Sequence, residues 1–151
     1  EEDTLVVHFR SGDIYTYRDS HHCIAVKDMW QPPLAFYVLA IHTHLINFPN
    51  APILFVTEPT PGLQNVCIQR LLDVFPQAQL QKGTTSSEDF QTIVYGRHIV
   101  ISRSTFAWMA ASFLAPDIRT IYSPDLEPAR WNDAPFTFVD FRFPGELERT
   151  R

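Results

Sequence analysis

Cysteine is scarce, with only Cys23 and Cys67 in 151 residues. Two thiols so far apart make neither a zinc site, which needs closely spaced ligand pairs, nor the framework of a disulfide-stapled scaffold. Cys67 lies in an apolar helical pattern and reads as a buried thiol. Lysine is scarce as well, since Lys27 and Lys82 are the only two among twelve basic residues. The rest are arginines, whose fixed, forked donors suit bidentate contacts better than diffuse attraction. Long apolar runs are missing: the longest, Leu34 to Ile41 and Thr105 to Ala115, fall short of the roughly 18 residues of a membrane helix. No Gly-rich phosphate loop of either common kind occurs, which removes the usual dehydrogenase and phosphate-loop ATPase readings. No serine stands in a nucleophile-elbow setting, so covalent serine hydrolysis is not expected. The net charge of −5 argues against a nucleic-acid binder, which needs a basic face to release counterions.

With 45% apolar and 13% aromatic residues, the chain can bury one core, and a single domain over residues 1–151 is expected. Leu5-Val6-Val7-His8-Phe9 is a short, β-branched, mostly apolar run, as in a strand buried on both faces of a parallel sheet. A polar, aromatic loop is expected from Ser11 to Gln31. Pro32-Pro33 opens a helix with apolar positions at Leu34, Tyr37, Val38, Ile41, Leu45 and Phe48. A strand at Pro52 to Thr57 follows, then a helix from Gly62 to Phe75 with its period on Leu63, Val66, Arg70, Leu71 and Val74. Ala78 to Gln81 reads as a short strand. Thr84-Thr85-Ser86-Ser87-Glu88-Asp89 supplies a cap and early acidic residues for a helix reaching Tyr95. His98 to Ile101 is a strand, Ser104 to Leu114 a helix, and Arg119 to Tyr122 a strand. The Pro-rich extension over 123–151 holds one more strand-like segment, Phe136 to Phe141. This alternation predicts an α/β fold, a Rossmann-like parallel sheet with helices on both faces. Ligands then bind outside the carboxyl ends of the strands.

The polar residues of interest stand at those ends. In a strand His8 and Arg10 share one face, and a guanidinium leaving the strand can fork onto a phosphate. Gly12 permits a tight turn or close backbone approach, while Asp13 orients Arg10 or accepts a ligand hydroxyl. The alternative is an Arg10–Asp13 pair that only stiffens a loop. Further on, Ser102-Arg103-Ser104-Thr105-Phe106 runs from a strand straight into a helix, whose first-turn N–H groups, dipole and hydroxyls make an anion site. Equally, Ser104 or Thr105 is simply the helix cap. Glu58 ends a strand where a carboxylate meets ribose hydroxyls or a base N–H, or it is a solvated loop residue. His98 begins a strand and has a structural reading beside a binding one. His42 and His44 are two apart on a helix and point to different sides, so no metal site is expected.

Val7-His8-Phe9-Arg10-Ser11-Gly12-Asp13 resembles the His-x-Arg-x-Gly-Asp motif of the fucosyltransferase superfamily, which includes alpha-1,2-, alpha-1,6- and protein O-fucosyltransferases. Glu88-Asp89-Phe90, followed by Arg97-His98-Ile99-Val100-Ile101-Ser102-Arg103-Ser104-Thr105-Phe106-Ala107-Trp108, is similar to the second conserved stretch of the alpha-1,2 enzymes. Gln31 to Tyr37 resembles eukaryotic relatives whose first motif reads Arg-Ser-Gly-Asp. The resemblance spans Leu5 to Leu114. It implies the nucleotide-sugar-binding half of a two-domain glycosyltransferase, similar to the carboxy-terminal domain of the GT-B class. It also implies GDP-fucose as donor, a glycan or glycoprotein acceptor, inverting transfer, no cofactor and no metal. For a eukaryotic member it implies the Golgi or secretory lumen. The donor-binding set would be His8, Arg10, Gly12, Glu58, His98, Arg103, Ser104, Thr105 and Phe106, with Arg10 and the 104–106 turn on the diphosphate. Asp13 or Asp19 would be the catalytic base. Three positions depart from the pattern: Ser11 stands where a second Arg is common, Arg103 where the family has Asn, and Met109 in place of a second Trp. Alternatives are a non-catalytic nucleotide- or glycan-binding module on this fold, or a transferase of another sugar.

Overall fold

The computed structural model describes residues 3–12, 15–19, 22–25, 31–58, 65–82, 84–113, 119–124 and 136–140, with backbone alone at 15–19, 22–25, 119 and 136–140. In chain order the strands are β1 (Leu5–Phe9), β2 (Tyr15–Asp19), β3 (His22–Ala25), β4 (Ile53–Thr57), β5 (Gln79–Leu80), β6 (His98–Val100), β7 (Arg119–Ser123) and β8 (Phe136–Asp140). The helices are α1 (Leu34–Asn47), α2 (Cys67–Val74), α3 (Ser86–Tyr95) and α4 (Thr105–Ser112). Six strands form one sheet in the order β5-β4-β1-β6-β7-β8, and every pairing in it is parallel. Numbered by their appearance along the chain, these strands run 3-2-1-4-5-6, the order of a doubly wound Rossmann-type sheet. The order reverses between β1 and β6.

Alternation of side chains along β1 splits the core in two. Leu5, Val7 and Phe9 face α1 and α2, meeting Phe36, Tyr37, Ala40, Ile41, Ile68 and Leu71. Val6 faces the other way, into a layer with Val56, Ile99, Ile101 and Ile121 beneath α3 and α4. In α4, Ala107, Ala110 and Ala111 are buried, and their small side chains bring that helix close to the sheet. Parallel strands covered on both sides need apolar residues on both faces, which explains the fully buried run of β1.

Several boundaries differ from the sequence expectation. The stretch from Ser11 to Gln31, expected as a loop, contains the antiparallel β2–β3 hairpin. The strands are only five and four residues long, and so short an alternation of aromatic and polar residues is weak evidence for a strand. Helix α2 starts at Cys67, and Gly62 and Leu63 lie outside the described residues. Its inward face is Ile68 and Leu71, while Val66 and Val74 are exposed; the amphipathic stripe is therefore rotated from the expected one. Cys67 is a free, half-buried thiol, pushed above its ordinary value by burial, with the Arg70 charge opposing. In α1, His44 is buried while His42 is exposed, as their two-residue spacing requires. The carboxy-terminal extension contributes β8, paired along its whole length to β7. No helix among the described residues is long and apolar enough to cross a membrane.

Helix α3 is started by a reciprocal cap: Thr85 Oγ1 accepts the Glu88 N–H at 3.3 Å, and Glu88 Oε2 accepts the Thr85 N–H at 2.7 Å. These bonds hold the exposed Glu88 carboxyl below its usual range. Replacing the cap residue by Thr85→Ala should cost about 1 kcal/mol of folding stability, read from the midpoint of chemical denaturation at neutral pH.

Candidate functional site

In open parallel sheets ligands bind outside the carboxyl ends of the strands where the strand order reverses, which here is the end of β1 and β6. These two strands are tied together there by one side-chain bond, His8 Nδ1 to Ser102 Oγ at 2.8 Å, between two residues 94 apart in sequence. Both are buried, His8 at 1% and Ser102 at 0% exposure. Burial pushes the His8 imidazole down to about 3, and the positive charge of Arg10 pushes it the same way. His8 is thus neutral across the physiological range. It offers a fixed neutral strut, and any anion at this site must be met by other groups.

Arg10 follows β1 on the loop side. Residues 6, 8 and 10 alternate onto the face covered by α3 and α4, and the charge of Arg10 acts on His8. The half-exposed guanidinium therefore stands on the same side of the sheet as the start of α4. That helix begins at Thr105 with Ser104 as its cap, Oγ accepting the Ala107 N–H at 3.4 Å. The N–H groups of Thr105 and Phe106 belong to the turn that an α-helix leaves without internal partners. Helix dipole and Arg10 together make this corner attractive to an anion.

The loop carrying Arg10 is anchored from behind. Ser11 is fully buried; its hydroxyl bonds Thr57 Oγ1 at 2.6 Å and accepts the Asn65 N–H at 2.9 Å. Asn65 Nδ2 donates to the Arg10 carbonyl at 3.1 Å, and Asn65 Oδ1 accepts the Cys67 N–H at the start of α2. Gly12 has φ of 67°, a left-handed conformation that a side chain disfavours. The turn therefore needs glycine. On the far side, Gln31 Nε2 donates to the Arg103 carbonyl at 3.3 Å, joining the segment ahead of α1 to the end of β6.

His8, Arg10, Gly12, Arg103, Ser104, Thr105 and Phe106 all stand at the β1/β6 carboxyl ends. Glu58 directly follows Thr57, the register partner of Phe9, and so stands level with Arg10 one strand away. The 104–106 side chains divide their work: Ser104 caps, Phe106 turns inward against His8 (6.0 Å between ring centres) and Phe90 (5.4 Å), and only Thr105 is exposed. The expectation for His98 is corrected. It begins β6 opposite Leu5, about 10 Å along the sheet from His8 at 3.3 Å per residue, and its ring packs at a tilt against His44 and Phe48. Asp19 ends β2, described by backbone only, and Asp13 lies outside the described residues. Asp89, within the second motif, is buried and accepts bonds from Gln81 and Thr84.

Sequence reading missed four supports: Ser11, Thr57, Asn65 and Ser102. Their signal was faint but present. Each is a small polar residue at the edge of an apolar strand or just ahead of a helix, where buried backbone groups need partners. Among the described residues there is no cluster of three or more His, Cys, Asp or Glu placed to hold a metal ion.

The fold and this corner define an α/β domain with a Rossmann-type sheet. Comparison of the chain with protein-family models, with curated proteins and with solved structures gives no match.

Removing the strut by Ser102→Ala leaves a buried imidazole nitrogen without its hydroxyl partner. The expected loss of stability is about 1–3 kcal/mol, measured by urea denaturation, while Thr105→Ala at the exposed position should lie within about 0.5 kcal/mol of wild type.

Proposed function

We propose that this domain binds the donor of a glycosyltransferase, a nucleoside diphosphate sugar, and that the donor is GDP-fucose. One observation carries the phosphate part of the reading: Arg10 and the first turn of α4 come to the same side of the sheet at the strand-order reversal, braced by His8 and Ser102. A diphosphate there would take the Arg10 fork, the Thr105 hydroxyl and the unpaired N–H groups of the helix start. Arg103, beside the same turn, adds positive charge. The guanine and fucose parts rest on the resemblance of residues 7–13 and 88–108 to fucosyltransferase motifs.

In this reading the domain is the donor half of a GT-B-like enzyme and the sugar is transferred with inversion. The acceptor oxygen bonds to the anomeric carbon as the bond from that carbon to the phosphate oxygen breaks. The acceptor proton goes to a carboxylate, Asp13 or Asp19, and the electron pair leaves with the diphosphate. Arg10 and the α4 turn stabilise the charge that grows on the leaving oxygen. His8 takes no proton in this scheme, since its neutral state is fixed by burial. The acceptor is a glycan or glycoprotein hydroxyl.

A second reading, a nucleotide-binding module without turnover, is favoured by Ser11. The position of the second motif arginine is filled by a buried hydroxyl engaged with Thr57 and Asn65, so one phosphate donor of the family pattern is replaced by a loop anchor. GDP binding with no fucose transfer or donor hydrolysis would select this module.

Calorimetry should find GDP bound more tightly than UDP or ADP. Arg10→Lys, which keeps charge but loses the fork, should weaken GDP binding on the order of tenfold, given roughly 1.5–3 kcal/mol for a charged hydrogen bond, and Arg10→Ala should weaken it further. Unchanged affinity in Arg10→Ala overturns the phosphate assignment. Equal affinity for the three diphosphates overturns only the guanine assignment.

Because the phosphate charge is met by arginine and helix N–H groups, binding should be the same with and without a chelator. Loss of GDP binding in chelator would contradict the metal-independent reading.

A further inference from the structure

At the opposite, amino-terminal edge of the sheet, two histidines are buried together. His44, near the end of α1, is fully buried, and His98, the first residue of β6, is 9% exposed. Their ring centres are 4.7 Å apart, and Phe48 packs against both, at 4.8 Å from His44 and 4.7 Å from His98. His44 bonds at both nitrogens. Nε2 faces the Asp3 carbonyl at 2.9 Å, and a carbonyl can only accept, so Nε2 carries the hydrogen. Nδ1 therefore holds the lone pair, and the Tyr122 hydroxyl of β7 donates to it at 3.4 Å. Nδ1 of His98 is buried with no hydrogen-bond partner. The geometry suits two neutral rings and no charge.

We propose that His44 and His98 form an acid-sensitive latch, which holds the end of α1 and the segment ahead of β1 against the sheet at neutral pH and releases them in mild acid. A proton on His98 would be a buried charge at an atom without a partner. A proton on His44 would turn Nδ1 into a donor aimed at the Tyr122 hydroxyl and place a charge against the neighbouring imidazole. Among the described residues, the charged and titratable groups that face the pair are Asp3, Arg97, Tyr122 and the two rings themselves. Burial holds His44 below its ordinary value, opposed by the Asp3 carbonyl bond and the Asp3 carboxylate. Burial likewise lowers His98; His44 and Arg97 add to the effect and Asp3 opposes it. Tyr122 is raised by burial and keeps its proton. His42, exposed against Phe75, takes no part.

The sign of the linkage follows. Above the ordinary histidine value both folded and opened forms are neutral, and pH has no effect through these groups. Below it the released rings take up protons that the closed latch refuses, so opening is favoured as pH falls. The backbone bonds that would report it are Phe48 N–H to His44 C=O and Leu5 N–H to Pro52 C=O. The latch lies away from the β1/β6 carboxyl-end corner, so it stands or falls independently of the nucleotide reading.

Amide hydrogen exchange on the whole chain, corrected for intrinsic exchange, tests this at Phe48 and Leu5. For two groups that titrate at about 6.5 only when released, the opening constant should rise about thirtyfold between about pH 6.5 and 5.5, and about fivefold with one such group left. His98→Phe keeps the ring stack and removes one group, so it should show the smaller rise; His42→Gln should behave as wild type. An equal rise in wild type and His98→Phe overturns the latch. The imidazole resonances of wild type give a second measurement that does not depend on any variant folding. His44 and His98 resonances that stay neutral well below the ordinary histidine value support the latch, and ordinary titration of both overturns it.

Discussion

A single hydrogen bond, between a neutral imidazole on β1 and a hydroxyl at the end of β6, sets the geometry of the whole carboxyl-end corner. β1 and β6 are hydrogen-bonded only from Leu5 to Val7 and from His98 to Val100. Beyond that point the backbones part, and side chains must fix what the ladder no longer does. The bond does so in a dry setting, where an unmade polar contact costs more than it would in water. Phe106 closes over the His8 ring, so the strut, the start of α4 and the end of β1 form one unit. The backbone at Arg10 and Ser11 is held from behind by Thr57 and Asn65.

The two edges of the sheet are built on opposite electrostatic terms. The carboxyl-end corner gathers positive potential from Arg10, Arg103 and the α4 dipole, and keeps its one histidine neutral so that the charge there is carried by groups that never lose it. At the amino-terminal edge the two buried rings are close, neutral and poorly placed to accept protons. Histidine thus has three environments in the described chain. His8 is a strut, His44 and His98 form a paired contact, and His42 is a surface ring. Residue type alone does not separate them; what each ring touches does.

The sheet was legible because β-branched runs at 5–9, 53–57 and 98–100 alternate with helical periods, a pattern a parallel fold imposes through burial on both faces. The α3 start was legible from Thr85 and Glu88, since a reciprocal cap is written in local sequence. Neighbouring strand ends pointed to Arg10 and to the α4 turn. The rest depended on contacts between distant segments. His98 looked like a site residue because it belongs to a motif stretch, but strand polarity carries it to the wrong end of the sheet. The roles of Ser104 and Phe106 hinged on the direction in which α4 presents its first turn. Ser11 looked like a lost phosphate donor, and its bonds to Thr57 and Asn65, 46 and 54 residues away, have no local signature. The hairpin strands at 15–19 and 22–25 are too short for their alternation to stand out from a polar, aromatic loop.

The proposed donor reading puts the diphosphate at the carboxyl ends of β1 and β6. Two-dimensional amide NMR during a GDP titration of the whole chain tests it residue by residue. The account predicts the largest shifts at Arg10, Ser11 and Gly12 and at Arg103 to Phe106, with the Arg10 side-chain Nε–H moving as well. Shifts centred instead on the amino-terminal groove lined by Thr4, Val6, Leu54 and Tyr95, with the α4 turn unmoved, would contradict it.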